Sequence, residues 1–187
     1  MQDVSLGLAH EAEVTLRKVG MTPEDWDRIR TDVELAKQIV ELLHQRPVFR
    51  VTVDHGKSLA DMIADGKYDW KNDDITAEHF PIQGKGQQEV EVILLHFNRA
   101  ISSKEAIAEM DKAGYKPALI EHLLALGDGQ PDLQRQFPIV ALGSVWQSSG
   151  SNCDVPYLYG CGVNRSLNLR WFECEWSGVF RFAAVRK

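Results

Sequence analysis

The residues able to do chemistry are sparse in this chain and badly spaced for acting together. Six histidines stand singly at positions 10, 44, 55, 79, 96 and 122, and none has the spacing of a metal ligand. Asp54 and His55 close an alternating apolar run and could form half of an acid–base pair. No partner for them can be picked out of the sequence, so surface-turn residues are the expected role. His55-Gly56-Lys57-Ser58 ends like a phosphate-binding loop, yet Val51 stands where the first glycine of such a loop is required. His96, inside an otherwise apolar stretch, is expected to be an interior histidine. Cys153, Cys161 and Cys174 all fall in the last 35 residues, an odd number with gaps that do not make a zinc site. One disulfide among them is conceivable, but free thiols in a reducing compartment are the expectation. No catalytic residue, metal or cofactor is expected.

Composition narrows the class further. The 187 residues are 44% hydrophobic and 26% charged, as in an ordinary globular protein, and suffice for one sizeable domain or two small ones. A net charge of -6 with scattered Lys and Arg argues against a nucleic-acid partner. The start of the chain lacks a basic segment followed by an apolar core, and runs such as Val92–Leu95 are too short to span a bilayer. A cytoplasmic protein without membrane insertion, or one exported without a cleaved signal, is the expectation.

The elements that must position any site follow from pattern. Thr22, followed by Pro23, Glu24 and Asp25, caps a first helix. Val33, Ala36, Ile39, Val40 and Leu43 give a second, running to His44. Residues 47–54 alternate as a strand, and residues 58–66 form a short helix closed by Gly66. The polar segment 67–87 reads as a connection, with a domain boundary near its end. Residues 89–97 form a strong strand. Ser102 to Glu105 is a capping box for a helix ending near Ala113. Pro117 opens a third helix, ended by Gly127, and residues 137–146 form another strand.

After Trp146 the composition changes. Between Gln147 and Phe180 there is no Lys, Ala, Met, Thr or Ile, whereas Ser occurs five times, Gly four, and Cys and Asn three each. Regular apolar positions run through this stretch: Val155-Pro156-Tyr157-Leu158, then Leu167, Leu169, Trp171 and Phe172, then Trp176. A terminal strand, Arg181 to Arg186, closes the chain.

The order strand, two helices, strand, long irregular segment, terminal strand resembles the C-type lectin fold, in its sulfatase-modifying branch. The motifs LGSVW (142–146), VPYL (155–158), LNLRWF (167–172), Trp176 and RFAAVR (181–186) resemble the variable proteins of diversity-generating retroelements. The resemblance covers residues 88–187 and is specific in the last 46. It implies an α+β protein: a C-type-lectin-like domain with a long irregular loop over 88–187, preceded by a small helical or α+β region over 1–87 of unknown role. In that family a reverse transcriptase copies a template with errors at adenines, scattering asparagine codons into many residues but never into Lys, Glu, Gln, Met or Trp. The positions that fit are Ser148, Ser149, Ser151, Cys153, Asp154, Tyr159, Cys161, Val163, Arg170, Cys174, Ser177, Val179 and Phe180, and the clustered cysteines become by-products of mutagenesis. Turn chemistry alone would also enrich Ser, Gly and Asn, but it explains neither the cysteines nor the regular apolar positions.

The implied function is display of a hypervariable ligand-binding surface. The ligand is unknown and most simply a protein, with the N-terminal region tethering the chain to a partner or to itself. Such a surface must contribute little to folding. Alternation therefore turns Leu167, Leu169 and Trp171 inward and Asn168 and Arg170 outward. Trp146, Trp171 and Trp176 are expected in the core, Tyr159 and Phe180 at the surface. Two other readings remain: a formylglycine-generating oxidase, which would need a cysteine pair, and a fixed interaction module of the same fold. Gln130-Pro131-Asp132 resembles the sugar-specificity tripeptide of calcium-dependent lectins, but it precedes a strand instead of lying in the long loop, and a helix-to-strand turn is expected there.

Overall fold

Along the last strand, Phe182 and Ala184 join one apolar cluster and Ala183 and Val185 another, and all four are buried. A strand apolar on both faces must lie within a sheet covered on both sides. The computed structural model, which describes residues 6–44, 47–148 and 152–187, has that arrangement. The chain forms two compact units, Met1–Gln45 and Arg46–Lys187.

The first unit holds α1 (Leu6–Lys18), α2 (Pro23–Thr31) and α3 (Val33–His44). Thr22 and Asp25 form a reciprocal capping box, with Pro23 at the tolerated first position. None of the described side chains of this unit is fully buried, and Val14, Leu16, Val19 and Val33 are exposed.

The second unit is mixed α+β. In chain order it contains β1 (Val48–Asp54), α4 (Leu59–Asp65), β2 (Trp70–Lys71), β3 (Gln87–Leu95), β4 (Ile101–Ser102), α5 (Ser103–Lys112), β5 (Tyr115–Pro117), α6 (Ile120–Gly129), α7 (Leu133–Gln136), β6 (Ile139–Val140), β7 (Trp146–Gln147), β8 (Cys153–Cys161), β9 (Asn164–Trp171), β10 (Glu175–Trp176) and β11 (Arg181–Arg186). The large sheet has the order β1-β3-β11-β6-β8-β9-β2, with β5 also on β11 and β7 on β8; β10 and β4 form a separate pair. Among the described strands only β11–β6 and β2–β9 are parallel. One face carries α4 and α6 over Val51, Val92, Leu94, Ile139, Leu158 and Leu167. The other carries α5 and Trp176 over Ile93, Leu95, Val140, Val155 and Phe182. The described residues include no helix long and apolar enough to cross a membrane.

Several sequence expectations change here. The boundary expected near residue 87 falls inside a unit, because all seven residues of β1 pair with β3. Residues 67–87 are more than a connection, since they supply β2, whose two residues pair with Ser166 and Leu167. The third helix starts at Ile120 and continues past Gly127, because Pro117 is taken by pairing with Ala184. The strand expected at 137–146 is two short ones. The intervening turn brings Gly143 so close to the Ala118 carbonyl that a Cβ would lie 2.6 Å from it. Gln130-Pro131-Asp132 joins α6 to α7. The long irregular loop is largely a regular hairpin, β8–β9, with eight paired positions.

Candidate ligand-binding face

The β8–β9 hairpin is built by a two-residue turn, Gly162-Val163, in which Gly162 has a φ of +60°. That left-handed first position is the one a glycine fills in a II′ hairpin turn. Cross-strand partners share a face, so the register separates two rows. Leu158 with Leu167 and Gly160 with Arg165 turn toward α6 and α7. Tyr157 with Asn168, Tyr159 with Ser166, Cys161 with Asn164 and Val155 with Arg170 turn the other way.

The inward row is fixed by more than apolar burial. Arg165 is buried, and its guanidinium donates to the carbonyls of Gly66 and Gly127 and to Gln134 Oε1 while lying 5.0 Å from the Tyr68 ring centre. Gln134 in turn donates to the carbonyls of Tyr159 and Ser166. A Cβ on Gly160 would lie 2.6 Å from Arg135 Cα. These contacts peg the hairpin to α7 and to the end of α4.

The opposite row is covered only at its start. Val155 lies under Trp176 and Phe180 in the second cluster, whereas Tyr157 is half-buried and Tyr159 is 42% exposed. Burial holds the Tyr157 hydroxyl above the usual tyrosine range, partly offset by Arg170 and by a hydrogen bond with Asn168. Arg170 is exposed, with its guanidinium 5.5 Å from the Trp176 ring and 5.3 Å from that of Phe180, and its Nε donates to Cys174 Sγ. Cys161, Val163, Ser177 and Val179 are exposed; Ser148, Cys153 and Cys174 are half-buried. The three cysteines are free, and partial burial followed by the neighbouring Glu173 pushes the Cys153 thiol up.

Other expected positions fall elsewhere. Asp154 is 9% exposed and Phe180 is 8% exposed, so neither belongs to an open surface. Phe180 packs edge-on against Trp176 at 5.0 Å and near Tyr157 at 6.3 Å. Trp176 is fully buried, but Trp171 is 60% exposed and Trp146 is only half-buried. Ser149 and Ser151 lie outside the described residues. Asn164, Ser166 and Asn168, absent from the expected set, sit on the open row with Arg170. The signal for them is a polar residue at every second position, Asn164, Ser166, Asn168 and Arg170, in phase with the outward Arg170.

The candidate acid–base and metal groups do not assemble. Asp54 accepts hydrogen bonds from Gln87 and from the Gly56 N–H, which hold its carboxyl below the usual range. The His55 ring is not at the surface as expected. Both its nitrogens are buried without a hydrogen-bond partner, and Gly84 packs against the ring. Ser58 caps α4, and Lys57 pairs with Asp65. His96 is exposed instead of interior, with Nε2 at 2.7 Å from the Gly178 carbonyl. No group of three His, Cys, Asp or Glu able to hold a metal is found among the described residues. Comparison with family models, curated proteins and solved structures returns no match to this chain.

Proposed function

We propose that the chain is a ligand-binding protein of C-type-lectin-like fold that displays a hypervariable surface diversified by a retroelement, with a protein as its ligand. The observation that carries this reading is the separation along β8 and β9. Residues compatible with adenine mutagenesis (Tyr159, Cys161, Asn164, Ser166, Asn168 and Arg170) share the open face of the hairpin, while Leu158, Gly160, Arg165 and Leu167 hold its other face. A mixture of tyrosine, serine, asparagine and arginine on a rigid platform suits adaptable protein recognition. The sheet order supports the lectin-like reading. Two longer helices, α5 and α6, and the one-turn α7 separate β3 from β6, and the terminal strand returns between those two strands. In this reading the helices of residues 1–45, with their exposed apolar side chains, are the tether.

The test is genomic. The DNA near the gene is expected to hold a close copy of its 3′ end, differing chiefly where the copy has adenines, beside a reverse transcriptase gene. Neither feature being present would sink the proposal, and sibling proteins identical at the open positions would favour a fixed interaction module instead.

A further inference from the structure

At the start of the hairpin, three neighbouring strands bring Trp146, Asp154 and Trp171 into one row: Trp146 pairs with Asp154 across β7–β8, and Asp154 with Trp171 across β8–β9. The two indole-bearing positions are therefore two strand spacings apart, ~10 Å, with the carboxylate-bearing position between them. An open groove of about 570 Å³ lies along this row, rimmed by Asn72, Asp74 and Ser148. Trp146 is held in place by a stacking contact with His79, their ring centres 4.0 Å apart. Trp171 is 60% exposed.

Asp154 is the unusual member. It lines the groove, is 9% exposed, and its carboxylate has neither hydrogen bond nor ion pair among the described residues. The residue is mostly covered, but its carboxylate oxygens are not among the buried unpartnered atoms, so they meet water only through the groove, and a carboxylate so confined favours a cationic partner. Among the described residues no Lys or Arg lines the groove, and the other charged residue on its rim, Asp74, has the same sign. Indole faces attract cations through their quadrupole, and a planar guanidinium both stacks on rings and offers paired N–H groups to a carboxylate.

We propose that this slot receives one organic cation, a guanidinium or alkylammonium group, seated between Trp146 and Trp171 and neutralised by Asp154. A basic side chain of a protein partner and a free small amine share this chemistry. The slot lies at the uncovered end of the hairpin's fastened face, opposite the display row, and the assignment stands on the groove alone, so it survives or fails independently of the genomic test.

The experiment is a tryptophan-fluorescence titration of the full chain with N-acetyl-arginine methylamide, its neutral isostere N-acetyl-citrulline methylamide, methylguanidinium, and a short peptide with a central arginine. The arginine derivative is expected to saturate the signal and to bind at least ~10-fold more tightly than the citrulline one, a difference of about 1.4 kcal/mol. Tighter binding of the peptide than of methylguanidinium assigns the cation to a protein partner, and equal binding assigns it to a small amine. Asp154→Asn should remove the preference for arginine while leaving the melting temperature unchanged or higher, since the carboxylate has no partner among the described residues to lose. Trp171→Ala should weaken binding several-fold. Equal binding of arginine and citrulline, retained preference in Asp154→Asn, or a lowered melting temperature in that variant would each overturn the proposal.

Discussion

Phe180 is where the proposed mutational freedom and burial collide, and replacing it tests the division between the two faces. Its ring closes the second apolar cluster against Trp176 and Tyr157 and carries the Arg170 guanidinium above it. Phe180→Asn removes that ring from a site 8% exposed. Truncating a buried phenylalanine costs about 3–5 kcal/mol, and the loss of an aromatic pair is part of that figure. The comparison is a fourfold variant of the open face, Tyr159, Cys161, Val163 and Arg170 all to Asn. Surface changes are usually within about 0.5 kcal/mol each. The stacking of Arg170 adds about 0.5–1 kcal/mol at an exposed site, so the four together should cost at most about 3 kcal/mol, the low end of the Phe180→Asn figure. Urea unfolding followed by tryptophan fluorescence measures both, since four of the five tryptophans lie in the sheet unit. A fourfold variant less stable than Phe180→Asn would refute the reasoning, for the open face would then be part of what holds the fold.

Two further outcomes follow from buried polar groups. Arg165→Met should cost about 3 kcal/mol or more by urea unfolding, because it strands the carbonyls of Gly66 and Gly127 and the Gln134 amide that the guanidinium now satisfies; an unchanged midpoint would show that α7 does not need this peg. Burial, with smaller contributions from His55 and Lys116, depresses His122 from 6.5 to about 4, so the unfolded chain binds more protons between those values and stability should rise with pH across that window, by at most about 3 kcal/mol. His122→Gln, which keeps an acceptor for the Leu119 N–H, should flatten the rise in a pH series of urea midpoints.

How far the sequence could be read depended on whether a feature was local. The caps at Thr22 and Ser102 are local and were legible, as was the alternation of β1. Pro117 looked like a helix start by local rule, but its pairing with Ala184 is a tertiary contact that no neighbouring residue announces. The two residues of β2 are invisible for the same reason, since only their register with Ser166 and Leu167 makes them a strand. Trp171 shows the limit most clearly. Alternation assigns it correctly to the side of Leu167 and Leu169, but exposure rises from none at Leu167 to 60% at Trp171. Period fixes which way a side chain points, whereas depth depends on where the covering helices stop.

That same geometry explains how one hairpin can be both fastened and free. Its eight paired positions are joined by main-chain hydrogen bonds, which do not depend on side-chain identity. The side chains that do matter, Leu158, Arg165 and Leu167, alternate with those that do not, and Gly160 leaves no room for a side chain of any kind. Freedom is thus confined to every second residue, and only beyond Val155, where the cover of Trp176 and Phe180 ends. Asp154 belongs to the fastened side by period but lies past the reach of α6, among Trp146 and Trp171. A charge can persist there because the groove leaves its carboxylate open to a ligand, which makes the edge of the fastened face, as well as the open one, a surface for recognition.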